Sequence, residues 1–170
     1  PATSSGAALE VVEILGQATT AVHEISPPPG EPDIQVLEDF RPAAREFSPD
    51  LVIGIGGGSV LDYAKGLAAV LPNVRHAAEY QGFDKTEQPG LASLMIPTLF
   101  GSGAEVTASA VMINKEKEMK GGINGRFVFP RLAVIDPELG PGTPRDILGG
   151  TGLDALVHSI EGYVAKCATP

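Results

Sequence analysis

The chain has 170 residues, 43% of them hydrophobic, with 12 basic and 21 acidic residues for a formal net charge of −9. That size and apolar content support one buried core and part of a second domain. The acidic balance argues against a nucleic-acid or anionic-membrane binder, both of which need clustered Lys and Arg, but leaves room for a phosphate held by backbone N–H groups.

The opening, PATSSGAALEVVEILG, lacks a basic segment ahead of an apolar block and does not read as a signal peptide. Residues 7–16 place Leu9, Val11, Val12 and Leu15 at helical spacing, with Gly16 as the expected stop. ATTAVHEI, residues 18–25, reads as a strand, ended by the breaker SPPPGEP. Residues 33–46 read as a helix with Ile34, Leu37, Phe40 and Ala44 on one side, against which stands the interior Pro42. DLVIGI, residues 50–55, is nearly all apolar, as expected of a strand covered on both faces of a parallel sheet.

A helix follows over 59–71, with Val60, Leu61, Ala64, Leu67, Ala68 and Leu71 as its buried stripe. Strands are then expected at LASLMIP (91–97), SAVMIN (109–114) and RLAVID (131–136). Thr143 and Pro144 suit an N-cap and a first helical position, and residues 151–164 form a last amphipathic helix. The alternation predicts an α/β fold: a doubly wound, largely parallel sheet over residues 1–142, then the beginning of an all-α domain over 143–170. The single cysteine, Cys167, cannot form an internal disulfide. The most apolar windows are broken by Asp62, Lys65 or prolines, so no membrane span is expected, and the reading is a soluble, cytoplasmic protein. The absence of an initiator Met and the ending KCATP point to a fragment of a longer chain.

Two stretches carry chemistry. The first is Gly54-x-Gly56-Gly57-Gly58-Ser59 at a strand-to-helix turn. Small residues there permit positive φ and close approach of a ligand to the backbone, and Ser59 with Asp62 has capping-box spacing. The helix N-terminus beyond would offer free N–H groups to a pyrophosphate. The run is neither G-x-G-x-x-G nor a P-loop, and by itself a tight turn explains it nearly as well. Asp62 and Lys65 share another face, where spacing alone gives a solvated i,i+3 ion pair. The second stretch carries Asp154 and His158, four apart on one helix face, with Glu161 beyond. A carboxylate and an imidazole so placed can grip one divalent ion. From spacing alone, a surface Asp–His hydrogen bond is the simpler reading, and Glu161 reads as structural.

Gly56-Gly57-Gly58-Ser59-x-x-Asp62-x-Ala64-Lys65 resembles the signature of the iron-containing (group III) alcohol dehydrogenases. Three further segments follow in the family's order: PTLFGSGAEVT (97–107), AVIDPEL (133–139) and TGLDALVHSIE (151–161). The resemblance covers essentially the whole chain. It implies a dehydroquinate-synthase-like nucleotide-binding domain followed by a helical domain, with the active site between them. The reaction it implies is hydride transfer between NAD or NADP and a small-molecule alcohol or aldehyde bound to a metal ion. The alternatives are a nucleotide-binding fragment without catalysis, or an NAD-using lyase of the dehydroquinate-synthase type.

Carried over, the resemblance places the cofactor pyrophosphate on Gly57, Gly58 and Ser59, with Asp62 beside that loop toward the nicotinamide. Thr98 and Ser102 would contact phosphate and ribose, the Val111 backbone the nicotinamide amide, and Lys120 the ribose hydroxyls; Lys65 has no assigned chemistry. Without the family, Thr98 and Ser102 are turn residues, Val111 a core strand residue and Lys120 a solvated loop lysine. The metal, Fe2+ or in some members Zn2+, would be held by Asp154, His158 and two later histidines, whereas the only others here, His23 and His76, come earlier. Ser26-Pro27-Pro28-Pro29 puts proline where a family Asn-Pro is frequent, and Leu99 replaces a frequent second threonine. Faces left open by an absent partner domain could drive homo-oligomer formation.

Overall fold

A computed structural model describes residues 6–18, 21–140, 143–166 and 168. Its elements are α1 (Gly6–Ala18), α2 (Ile34–Phe47), β1 (Leu51–Gly56), α3 (Gly58–Val70), β2 (Gly82–Phe83), β3 (Ala92–Pro97), β4 (Ser109–Asn114), β5 (Met119–Asn124), β6 (Leu132–Ala133) and α4 (Arg145–Val164). Two three-stranded sheets result, ordered β1-β3-β6 and β2-β5-β4. All pairs are parallel except the β4–β5 hairpin. The α/β architecture with a largely parallel sheet agrees with the sequence reading, and the second sheet adds to it.

The pairing of β1 with β3 positions the site. Leu51 lies opposite Ala92 and the register runs unbroken to Gly56 opposite Pro97. Parallel strands in register end together, so the turn after Gly56 and the loop after Pro97 emerge side by side. This is where an open α/β sheet presents its ligand crevice. Helix α3 packs over β1, β3 and β4, and nearly its whole circumference is buried, Tyr63, Lys65 and Gly66 included. Leu61, Ala64, Met95 and Ala104 form one apolar cluster; Leu37, Val70, Tyr80, Met112 and Ile123 anchor the larger one.

Helix α2 starts where Asp33 accepts a hydrogen bond from the Gln35 amide (2.9 Å) and ends at Ser48 in the left-handed region (φ 53°). Pro42 sits inside it and the helix continues. The lost backbone bond is offset by tertiary anchoring: Arg41, buried next to Pro42, donates to the carbonyls of Val70, Asn73 and Arg75 and pairs with Glu38 at 2.6 Å. Those carbonyls lie at and beyond the C-terminus of α3, where a cation is favoured.

Several expectations are corrected. Residues 21–28 hold no strand, and Thr19 and Thr20 lie outside the described residues, as does Cys167. A strand exists by its ladder, and among the described residues the ladder of β1 is with β3, while this segment runs outside it. A cleft of about 670 Å³ between them is lined by Val22, Ile25, Val52, Ile53 and Leu67. Gly16 does not stop α1, which runs on to Ala18. Helix α3 begins at Gly58 with Gly57 as its cap, so Ser59 is the second helical residue and no capping box forms with Asp62. Only Leu132 and Ala133 of the expected 131–136 strand pair in the sheet. Thr143 does not cap α4; its hydroxyl donates to the Gly140 carbonyl (3.0 Å), and Pro144 precedes a single helix of 20 residues that runs through Gly149 and Gly150. None of its residues is buried, so the apolar face of the expected 151–164 helix is open.

Candidate nucleotide site and metal ligands

The site begins with the backbone of β1. Gly56 takes φ 154°, and Gly57 is extended (φ −76°, ψ 176°) before the chain turns into α3. The Gly57 carbonyl accepts from the Val60 and Leu61 amides at 3.0 and 3.1 Å, closing the first turn. The N–H groups ahead of these have no acceptor within the helix, so the positive end of α3 opens at Gly58 and the exposed Ser59.

The loop after β3 closes one side of this opening. The Thr98 amide donates to the Gly56 carbonyl at 3.0 Å, tying loop to turn. The Leu99 side chain lies beside Gly57, and a Cβ on Gly58 would stand 2.9 Å from Ser102 Oγ. Ser102 Oγ accepts from the Ala104 amide at 3.3 Å, which aims it toward the turn. Gly57, Gly58, Ser59, Thr98 and Ser102 are thus brought together.

Asp62, one turn into α3, faces inward. Its Oδ1 lies 3.0 Å from Lys65 Nζ, and its Oδ2 accepts from the Val111 amide at 3.2 Å. Lys65 is 1% exposed, so the pair is buried rather than solvated. Lys65 borders the packed stripe of Val60, Leu61, Ala64, Leu67 and Ala68, and its buried charge is paired. Burial pushes the Asp62 carboxyl above its ordinary value against the pull of Lys65 and the Val111 amide. Burial likewise pushes the Lys65 ammonium down, against the opposing attraction of Asp62.

Lys120 is not a loop residue. It lies on β5 opposite Ile113, and its exposed Nζ meets Glu31 Oε1 at 2.7 Å. It is the outermost member of the set, apart from the glycine turn yet close enough to Asp62 to lower its carboxyl electrostatically.

Asp154 and His158 project from one face of α4 with Oδ2 and Nδ1 3.7 Å apart, both half-exposed. Their donor types suit a divalent ion, and they supply only part of a coordination set. Among the described residues no group of three or more His, Cys, Asp or Glu side chains could hold a metal. The link between α4 and the nucleotide side is Gly101 (φ 149°), whose missing Cβ would lie against the Thr151 carbonyl. Sequence reasoning did not single out Gly101 and left Lys65 without a role. A lysine bordering an apolar helix stripe, three residues from an aspartate, was the available signal for the second.

The sequence matches the family described as iron-containing alcohol dehydrogenase over residues 1–137. An alcohol dehydrogenase of Thermococcus barophilus is 34% identical over 168 residues, covering 95% of this chain and 44% of the relative. Among solved structures, a 1,3-propanediol oxidoreductase superposes with a TM-score of 0.92 at 27% identity, over 99% of this chain and 44% of that one. A sulfoacetaldehyde reductase from Bifidobacterium kashiwanohense, solved in complex with NAD+, gives 0.83 at 30% identity, over 99% and 45%. The chain therefore spans less than half the length of these relatives. With most of its residues matched, it belongs to the iron-containing alcohol dehydrogenase family.

Proposed function

We propose that this chain is the nucleotide-binding part of a metal-dependent, NAD- or NADP-linked alcohol dehydrogenase acting on a short alcohol or aldehyde. Residues 1–142 would form the nucleotide domain, and 143–170 the beginning of a metal-bearing helical domain. The observation that carries the reading is the union of the glycine turn with the Thr98–Ser102 loop at the N-terminus of α3. The NAD+ complex of the sulfoacetaldehyde reductase supports the choice of ligand.

In this reading the amides of Gly57, Gly58 and Ser59 take the pyrophosphate, where the helix dipole favours negative charge. The hydroxyls of Thr98 and Ser102 orient phosphate and ribose. Asp62 fixes the Val111 backbone beside the nicotinamide amide, and Lys120 exchanges Glu31 for ribose hydroxyls. The bound nucleotide supplies or accepts the hydride, with the protein providing orientation. Asp154 and His158, with further donors, would hold a divalent ion, Fe2+ or Zn2+, which would supply Lewis-acid polarisation of the substrate oxygen. No side-chain nucleophile is needed. Family membership favours this chemistry over a dehydroquinate-synthase-type lyase.

A second reading applies to the chain by itself: nucleotide binding without turnover. It is favoured by the exposed Asp154–His158 pair on a helix with no buried residue, which leaves no water-excluding cleft around an ion. Among the described residues no helix is long and apolar enough to cross a membrane.

The test uses a protein that contains this segment at the relatives' length, loaded with Fe2+. It should reduce short aldehydes at the expense of NADH or NADPH, and Asp154→Ala should lower kcat/KM by about a thousandfold or more. Turnover that survives Asp154→Ala removes the metal from the reaction. The 170-residue chain alone should show no turnover with added iron or zinc, and robust turnover there would contradict the second reading.

A further inference from the structure

The geometry assigns Lys65 a positioning role: its ammonium locks the Asp62 carboxylate against the Val111 amide and so sets the strand that flanks the nucleotide turn. This rests on the nucleotide reading above. It adds a residue to which the family resemblance gives no chemistry.

All three donors of the ammonium are used. Lys65 Nζ reaches Asp62 Oδ1 at 3.0 Å, Thr107 Oγ1 at 3.0 Å and the Ser109 carbonyl. Thr107 Oγ1 in turn donates to the Ala104 carbonyl at 3.4 Å. Two of the three acceptors thus lie on the segment that runs from the Ser102 loop into β4, and the third lies on α3 itself. Asp62 closes the circuit from its other oxygen through the Val111 amide.

The lysine therefore holds α3, the exit of the Ser102 loop and the start of β4 in one arrangement. A buried ion pair is weak support for stability, because an apolar side chain of the same length would fill the space without desolvating a charge. What the methylene stem cannot do is keep the Asp62 carboxylate ionised and aimed. The other charged groups that face the pair are Lys120 on β5, toward Asp62, and Glu105 in the turn before β4, toward Lys65. Neither touches the carboxylate that Lys65 holds.

The experiment is NADH affinity measured from about pH 5.5 to 8.5 for the wild-type chain, Lys65→Met and Lys65→Arg, with folding checked by thermal unfolding. Without its cation, Asp62 should protonate at higher pH and hold Val111 less well. Lys65→Met should therefore bind about tenfold more weakly at the acid end, with the midpoint of its profile moved up by about one pH unit. Lys65→Arg should restore the wild-type midpoint. A uniform loss across pH, or an unchanged profile, overturns the positioning role while leaving nucleotide binding intact. A wild-type chain that binds neither NADH nor NADPH ends the nucleotide reading and this one with it. If Lys65→Met does not fold, the Val111 amide resonance provides the readout. In the wild type it should follow one titration that Asp62→Asn abolishes; a Val111 amide indifferent to that titration overturns the role.

Discussion

Gly56 occupies φ 154°, a conformation L-residues rarely adopt, and a methyl group there would sit 2.8 Å from Val60 Cβ. Val60 is β-branched and half-buried, so it cannot swing away freely. Gly56→Ala should therefore cost about 1–3 kcal/mol, visible in urea unfolding, and weaken NADH binding by deforming the turn. A variant of wild-type stability and affinity would show that the turn is not held as described. Asp33 and Glu38 are carboxyls held below their ordinary values. The Lys115 ammonium holds Asp33 below its ordinary 3.8. Burial pushes Glu38 up, but Arg41 and the Ala77 amide outweigh it and bring it below 4.5. Both carboxyls titrate lower when folded than when unfolded, so their contribution is complete above about pH 5 and drains away as pH falls through the folded values. Stability should fall across that window, and Glu38→Gln should flatten the fall. An unchanged acid profile would deny Glu38 its pairing. At this scale the sequence was most misleading for Lys65: the i,i+3 spacing identified its partner, while its ammonium is also held by the segment entering β4, whose Thr107 lies 42 residues on.

Among elements, the legible ones were those whose period and apolar content agree, such as β1, β3, β4 and the two helices that pack on them. Strand β5, MKGGIN, was not legible. Two glycines and an exposed lysine give it little strand character, and it forms because β4 and β2 bracket it. Residues 21–25 show the converse: strand-like composition alone does not make a strand. Pro42 argued against a helix that tertiary bonds from Arg41 sustain. The contact between the loop after β3 and α4 depends on Gly101, where the Thr151 carbonyl occupies the space a side chain would need. Gly101→Ala should lift α4 from that loop and speed amide exchange in its first turns by about tenfold, leaving β1 and β3 protected. Unchanged exchange would mean that α4 is not seated there.

The whole chain spans less than half the length of the relatives it matches. Leu153, Leu156 and Ile160 on α4 are 64%, 54% and 53% exposed, and among the described residues β1 is the outer strand of its sheet, beside an apolar cleft. Apolar surface of this extent invites association. The chain should therefore sediment as concentration-dependent oligomers, which Leu156→Lys with Ile160→Lys should shift toward monomer; a strictly monomeric wild type would contradict this. The order of the four motifs was enough to place the chain in its family: the first two stand at the ends of β1 and β3, and the last lies within α4. The candidate metal ligands Asp154 and His158 were legible only as a two-residue spacing, and among the described residues no group of three or more His, Cys, Asp or Glu side chains could hold a metal. The central claim is that the turn between β1 and α3 receives the nucleotide's diphosphate. It is tested most directly by following backbone amide resonances of the chain during titration with NADH. Saturable shifts should appear first at Gly57, Gly58 and Ser59, then at Thr98, Ser102 and Val111. Silent glycine amides, with NADH unbound or perturbing only residues far from the turn, would contradict the account.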